Sequence, residues 1–168
     1  MRVIGVDPGM TRCGYGIVEV RSGISKHIAS GTIRSESEEP AERSLYRICI
    51  DLERLIEAHD VDAMAIERLF VNRNTRTALA VAQAMGVAML AAAESGIGVT
   101  QYTPSEVKAA ITGTGTADKA QVAFMIKAML RLDGEPDSPD AADALALALA
   151  HAHGSKLRSL EERIVSRT

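Results

Sequence analysis

Residues 140–153 read DAADALALALAHAH. Leucine alternates with alanine at 145, 147 and 149, which is the period of a half-buried strand. Composition overrides that period. Alanine and leucine are among the strongest helix formers, and no β-branched residue interrupts the stretch. Ser138 before Pro139 is a helix start. The stretch is therefore read as a helix, apolar on most sides and so buried.

The chain before it reads as a sheet with helices. Residues 2–7 form a short apolar strand ending in Asp7, and Pro8-Gly9 supplies a tight turn into a second strand at 13–20. A third strand spans 25–34. Leu45, Ile48, Leu52, Leu55 and Ile56 recur at helical spacing, so an amphipathic helix follows. Residues 61–67 form another buried strand that also ends in a carboxylate, Glu67. A helix from Thr75 to Glu94 is closed by Gly96, and a fifth strand spans 97–102. Thr103, Pro104 and Glu106 then open a short helix with a capping box. One more helix over 117–132 precedes the final one. The order predicts an α/β fold, a mixed sheet with helices on both faces. One domain covers 1–153, and 154–168 form a polar, flexible tail.

Composition narrows the function classes. With 168 residues, 46% hydrophobic and 24% charged, the chain builds one ordinary core. No charge-free apolar run reaches 18 residues, and no secretory signal pattern opens the chain, so neither a membrane role nor export is expected. Cys13 and Cys49 are read as reduced thiols of a cytoplasmic protein. The net charge of −3 disfavours nucleic-acid binding through bulk charge, although a local basic patch suffices for it.

Carboxylates carry the chemistry. If the strands ending in Asp7 and Glu67 are parallel neighbours, both acids lie at one sheet edge, where α/β folds bind ligands. Asp140 and Asp143 lie three apart in the first turn of the last helix and share a face. Taken singly, Asp7 also suits a turn, Glu67 a strand end, and Asp140 a helix dipole. Asp143 sits among Ala141, Ala142, Ala144 and Leu145, where a buried carboxylate needs a cation. Oxygen ligands without a His or Cys cluster favour Mg²⁺ or Mn²⁺ over zinc. Two such ions about 4 Å apart stabilise the attacking and leaving oxygens of a phosphodiester. His151 and His153 lie two to three turns from the aspartates and are read as structural or exposed.

Four segments, VIGVDPGMTRCGYGIVE, AIERLFVNRNTRTALAVAQAMGVAMLAA, TPSEVKAAITGTGTADKAQV and DAADALALALAHAH, closely resemble the RuvC family of bacterial Holliday-junction resolvases. The resemblance runs in order from residue 1 to about 153. It implies a ribonuclease-H-like fold, a homodimer, and Mg²⁺-dependent symmetric cutting of four-way junction DNA, with two ions per site. Products would carry 5′-phosphate and 3′-hydroxyl ends. It assigns Asp7, Glu67, Asp140 and Asp143 as catalytic acids and metal ligands, Phe70 as an aromatic that stacks on junction bases, and Lys108 and Lys119 as basic residues near DNA. It also implies cooperation with a branch-migration motor of the RuvA/RuvB type.

The loop RLFVNRNTR adds Arg68, Arg73 and Arg76 around Phe70 with no acid, a composition suited to phosphate contact and base stacking. In the helix from Thr75, Ala78, Ala82, Met85, Gly86, Met89 and Ala93 make either a core face or a dimer seam. The resemblance favours the seam. Three other readings stand beside this one: a phosphotransferase of the actin-like ATPase group, a non-catalytic junction-binding module, and a nuclease of the same fold acting on another branched nucleic acid.

Overall fold

A computed structural model describes residues 1–36, 38–69 and 75–165, with side chains for all of these except residue 75 and residues 155 onward. Strand β1 (Arg2–Asp7) turns into β2 (Arg12–Arg21), which turns into β3 (Ile24–Arg34). Then come α1 (Ala41–Ala58), β4 (Ala63–Glu67), α2 (Thr75–Glu94), β5 (Gly98–Tyr102), α3 (Pro104–Thr112), α4 (Lys119–Leu130) and α5 (Pro139–Val165). The sheet order is β3-β2-β1-β4-β5. β1 is antiparallel to β2 and parallel to β4, and β5 is parallel to β4. This is the mixed sheet the sequence predicts, including the parallel β1–β4 pair on which the convergence of Asp7 and Glu67 depends.

Pleating sends alternate side chains to opposite faces. Ile4 and Val6 of β1 enter one core with Ile48 and Leu52 of α1 and Ala84 and Ala88 of α2. Val3 enters the other core, with Val107 of α3, Ile126 of α4 and Leu145, Leu147 and Leu149 of α5. On that second face the sheet is lined by glycine where α5 crosses it. A Cβ added at Gly5 would overlap the Ala144 carbonyl oxygen, and one at Gly14 would overlap the Asp140 carbonyl oxygen. At Gly16 it would lie 2.7 Å from the Leu145 amide nitrogen. The helix thus rests on strand backbone, an approach that only glycine permits.

α5 is helical, as its composition requires, and every residue from 144 to 150 is buried. Its alternating leucines are not a strand signal because both leucine and alanine positions are enclosed. Ser138 caps it: its hydroxyl accepts from the Ala141 amide at 3.1 Å and shares a 2.7 Å hydrogen bond with Thr32 of β3. The helix runs on to Val165, past residue 153. α3 has the expected capping box between Thr103 and Glu106, and α4 has a second one between Asp118 and Gln121.

Within α2, Arg76–Glu94 is long and apolar enough to cross a membrane by length and composition alone. Ala84, Ala88, Ala91 and Ala92 are nonetheless buried in the core shared with α1 and the sheet. The opposite side exposes Leu79, Met89 and Leu90.

Overpacking a tight contact costs about 1–3 kcal/mol, which lowers Tm by roughly 2–4 °C per kcal/mol in a chain of this size. Gly5→Ala should therefore melt at least about 2 °C below wild type. Gly98→Ala, at a strand glycine with open space around it, should lose much less. Calorimetry of the two variants checks this.

Candidate active site

Two strand ends and one helix start build the site. In the β1–β4 register Val6 pairs with Ile66, so the next residue on each strand is an acid, Asp7 and Glu67. Both follow the face of Gly5 and Ala65, toward α5. The contact of Gly14 with the Asp140 backbone then sets the first turn of α5 over the same edge. Asp140 and Asp143 arrive with that turn.

The electrostatics show that the acids feel one another. Burial, then the charges of Asp143, Glu67 and Asp140, push the Asp7 carboxyl up to about 7 from 3.8. Burial and Asp143 raise Glu67, against the opposing effect of Lys119. Asp143 is 49% exposed and not buried as its apolar neighbours suggest, because the first turn of α5 faces the open edge of the sheet; partial desolvation still raises its carboxyl, where Lys119 opposes the shift and Asp140 adds to it. Local cations answer part of this charge. Lys119 Nζ lies 3.8 Å from Asp143, and Arg12 Nε donates to Asp140 Oδ2 at 2.7 Å.

The four carboxylates do not close on one point. Among the described residues, the one set of three potential ligand atoms lying within 4.8 Å of each other is Cys49, Glu53 and Glu94, between α1 and α2. That set is a poor cation site. The Cys49 thiol is pushed up to about 11 by burial and by its hydrogen bond to Glu53, so it keeps its proton. Glu94 is raised by a hydrogen bond with Glu53. Asp7, Glu67, Asp140 and Asp143 suit a divalent ion better. They offer hard oxygens from three elements with no side-chain amine or thiol ligand among them, and at Asp7, Glu67 and Asp143 burial and a neighbouring carboxylate both favour the protonated form, a cost that a cation relieves.

A cavity of about 460 Å³ opens beside the acids, lined by Glu67, Asp143, Lys108 and Lys119 together with apolar residues of α3, α4 and α5. Asp7 and Asp140 do not line it. The structure thus brings Lys108 and Lys119 to the site. Arg76 is exposed in the first turn of α2 and makes no ion pair with the four acids among the described residues. Phe70 and Arg73 lie outside the described residues. His151 is buried, and its Nδ1 shares a 3.0 Å hydrogen bond with the Tyr102 hydroxyl, while His153 bonds Ser25. Both histidines are structural.

Sequence reasoning missed Arg12. It is separated from Asp140 by 128 positions. The signal available was its place on β2, where Arg12, Gly14 and Gly16 share the face that meets α5.

The model of the family described as crossover junction endodeoxyribonuclease RuvC matches residues 3–151. A protein of that name from Renibacterium salmoninarum is 48% identical over 153 residues, covering 90% of this chain and 79% of its own. One from Moorella thermoacetica is 44% identical over 167 residues, covering 99% and 100%. Among solved structures, RuvC of T. thermophilus in complex with Holliday junction substrate is similar with a TM-score of 0.90 and 34% identity, covering 94% of this chain and 96% of that one. A yeast mitochondrial Holliday junction resolvase at 14% identity shares the fold, with a TM-score of 0.62.

Ionising a carboxyl moved from 3.8 to about 7 carries on the order of 4 kcal/mol of cost in the folded state. The folded protein holds this proton more tightly than the unfolded chain, so its contribution to stability is lost as pH rises from about 4 to about 7. In EDTA, Asp7→Asn should therefore melt several degrees above wild type at pH 8 and close to it at pH 4. Melting curves across that range check the sign.

Proposed function

Because the chain belongs to the crossover junction endodeoxyribonuclease RuvC family, we propose that it resolves four-way DNA junctions by hydrolysing two phosphodiesters symmetrically, with Mg²⁺. The carrying observation is the convergence of Asp7, Glu67, Asp140 and Asp143 at one sheet edge beside a cavity walled by Lys108 and Lys119. The four acids hold the metal, two ions per site, with Mn²⁺ able to substitute. The ions supply charge stabilisation to the attacking and leaving oxygens.

The chain's own groups have separable tasks. Glu67 and Asp143 face the cavity and Asp7 stands behind them on β1. Lys119 and Lys108 neutralise the phosphate that enters, so the DNA meets cations before it meets the acids. Phe70, Arg73 and Arg76 lie on the segment that follows Glu67 and contact the junction centre, Phe70 by stacking on an unpaired base. The products carry 5′-phosphate and 3′-hydroxyl ends.

Two symmetric cuts call for two sites related by a two-fold axis. The exposed side of α2 suits that axis, with Leu79 67% exposed, Leu90 50% exposed, and open space at Gly86. Met89 lies on the same side, while Met85 packs toward the core. The homodimer acts in the cytoplasm with a branch-migration motor of the RuvA/RuvB type. The T. thermophilus relative in complex with junction substrate supports the choice of DNA.

Asp7→Asn, Glu67→Gln, Asp140→Asn and Asp143→Asn should each reduce junction cutting at least a hundredfold in Mg²⁺ while binding the junction normally. Four-way junctions, flaps and linear duplex, assayed side by side, test the substrate. Preferential cutting of flaps would instead favour another branched substrate. Gly86→Glu should convert the dimer to monomer in sedimentation, and a dimer in both forms would exclude α2 as the seam.

A further inference from the structure

Arg12 begins β2 two residues before Gly14, on the same face. Gly14 meets the backbone and Cβ of Asp140, and Arg12 meets its carboxylate. One strand therefore grips one residue at both ends. The turn that delivers Arg12 is equally tight: a Cβ at Gly9 would overlap the Arg12 carbonyl oxygen. The contact uses Nε, on Oδ2 alone, and Asp140 makes no other side-chain hydrogen bond among the described residues.

We propose that Arg12 is a positioning residue for Asp140: its guanidinium holds Oδ2 and so turns Oδ1 toward the site. The inference rests on the nuclease reading above. Stability is a weak explanation for the pair. Arg12 is 49% exposed and Asp140 26% exposed, and ion pairs in such settings add little. Recruitment of metal is also a weak explanation, because a guanidinium adds positive charge beside a cation site. Orientation is what remains, and partners that orient ligands typically change metal affinity or activity 10–100-fold.

The Nε contact makes the proposal specific. A lysine ammonium reaches one bond beyond the position of Nε, so lysine can occupy the same place, whereas methionine has similar length and places a methyl group there with no donor. Full-length wild type, Arg12→Met, Arg12→Lys and Asp140→Asn are compared in three measurements: Mn²⁺ binding to the free protein by electron paramagnetic resonance, junction affinity in Ca²⁺, and cutting at saturating Mg²⁺. Arg12→Met should cut at least tenfold more slowly, with junction affinity within threefold of wild type and Mn²⁺ bound at least as tightly. Arg12→Lys should recover to within threefold of the wild-type rate. Wild-type cutting by Arg12→Met would overturn the proposal, as would no recovery in Arg12→Lys. A loss of junction affinity equal to the loss of rate would make Arg12 a phosphate contact instead. Weakened Mn²⁺ binding repaired fully by excess Mg²⁺ would make it part of metal capture. If wild type fails to cut any junction, the nuclease reading fails. The Mn²⁺ measurement then still decides the proposal, because Arg12→Met binding Mn²⁺ more weakly than wild type would sink it.

Discussion

The seating of α5 on bare strand backbone is the contact on which the rest depends. Gly5, Gly14 and Gly16 remove the side chains that would otherwise hold the helix a further layer away. Sheets and helices packed through larger side chains separate by about 10 Å. The two aspartates in the first turn of α5 would then stand clear of Asp7 and Glu67. The same contact encloses residues 144–150, which contribute most of the helix's share of one core. A packing requirement and a chemical requirement thus fall on the same backbone positions.

The two faces of the sheet are accordingly unlike. One face carries Ile4, Val6, Ile17, Met64 and Ile66 against α1 and α2. The other carries glycine and Ala65 where α5 crosses, and carboxylates where the strands end. Large side chains on the first face supply burial that offsets repulsion on the second. The cost is visible in the raised Asp7, Glu67 and Asp143 carboxyls, where burial is the first cause and repulsion between acids adds to it. An acid cluster tolerated in this way is poised to accept a divalent ion, since cation binding relieves a cost already present in the fold.

How much of this was legible in the sequence follows from how local each feature is. Asp7 and Glu67 end apolar strands, so their placement needed only strand periodicity and a parallel β1–β4 pair. Asp140 and Asp143 share a face by helical spacing, and α5 itself was readable because leucine and alanine propensity outweighs apparent alternation. The Thr103–Glu106 box is local and was read directly, whereas the equivalent Asp118–Gln121 box was passed over. Arg12–Asp140 and Thr32–Ser138 join residues 128 and 106 positions apart, and no periodicity encodes such pairs. The exposed side of α2 was only partly legible. Gly86, Met89 and Ala93 are exposed as a seam requires, but Leu79 and Leu90 were not singled out, because a nearly all-apolar helix does not announce which side faces the sheet.

The central claim is that the four acids, and not the tighter Cys49–Glu53–Glu94 set, receive the metal. Anomalous diffraction from crystals soaked in Mn²⁺ tests it most directly. The account predicts a peak at ligand distance, about 2 Å, from oxygens of Asp7 and at least one of Glu67, Asp140 and Asp143. A peak at Cys49, Glu53 and Glu94, with none at the sheet edge, would contradict it.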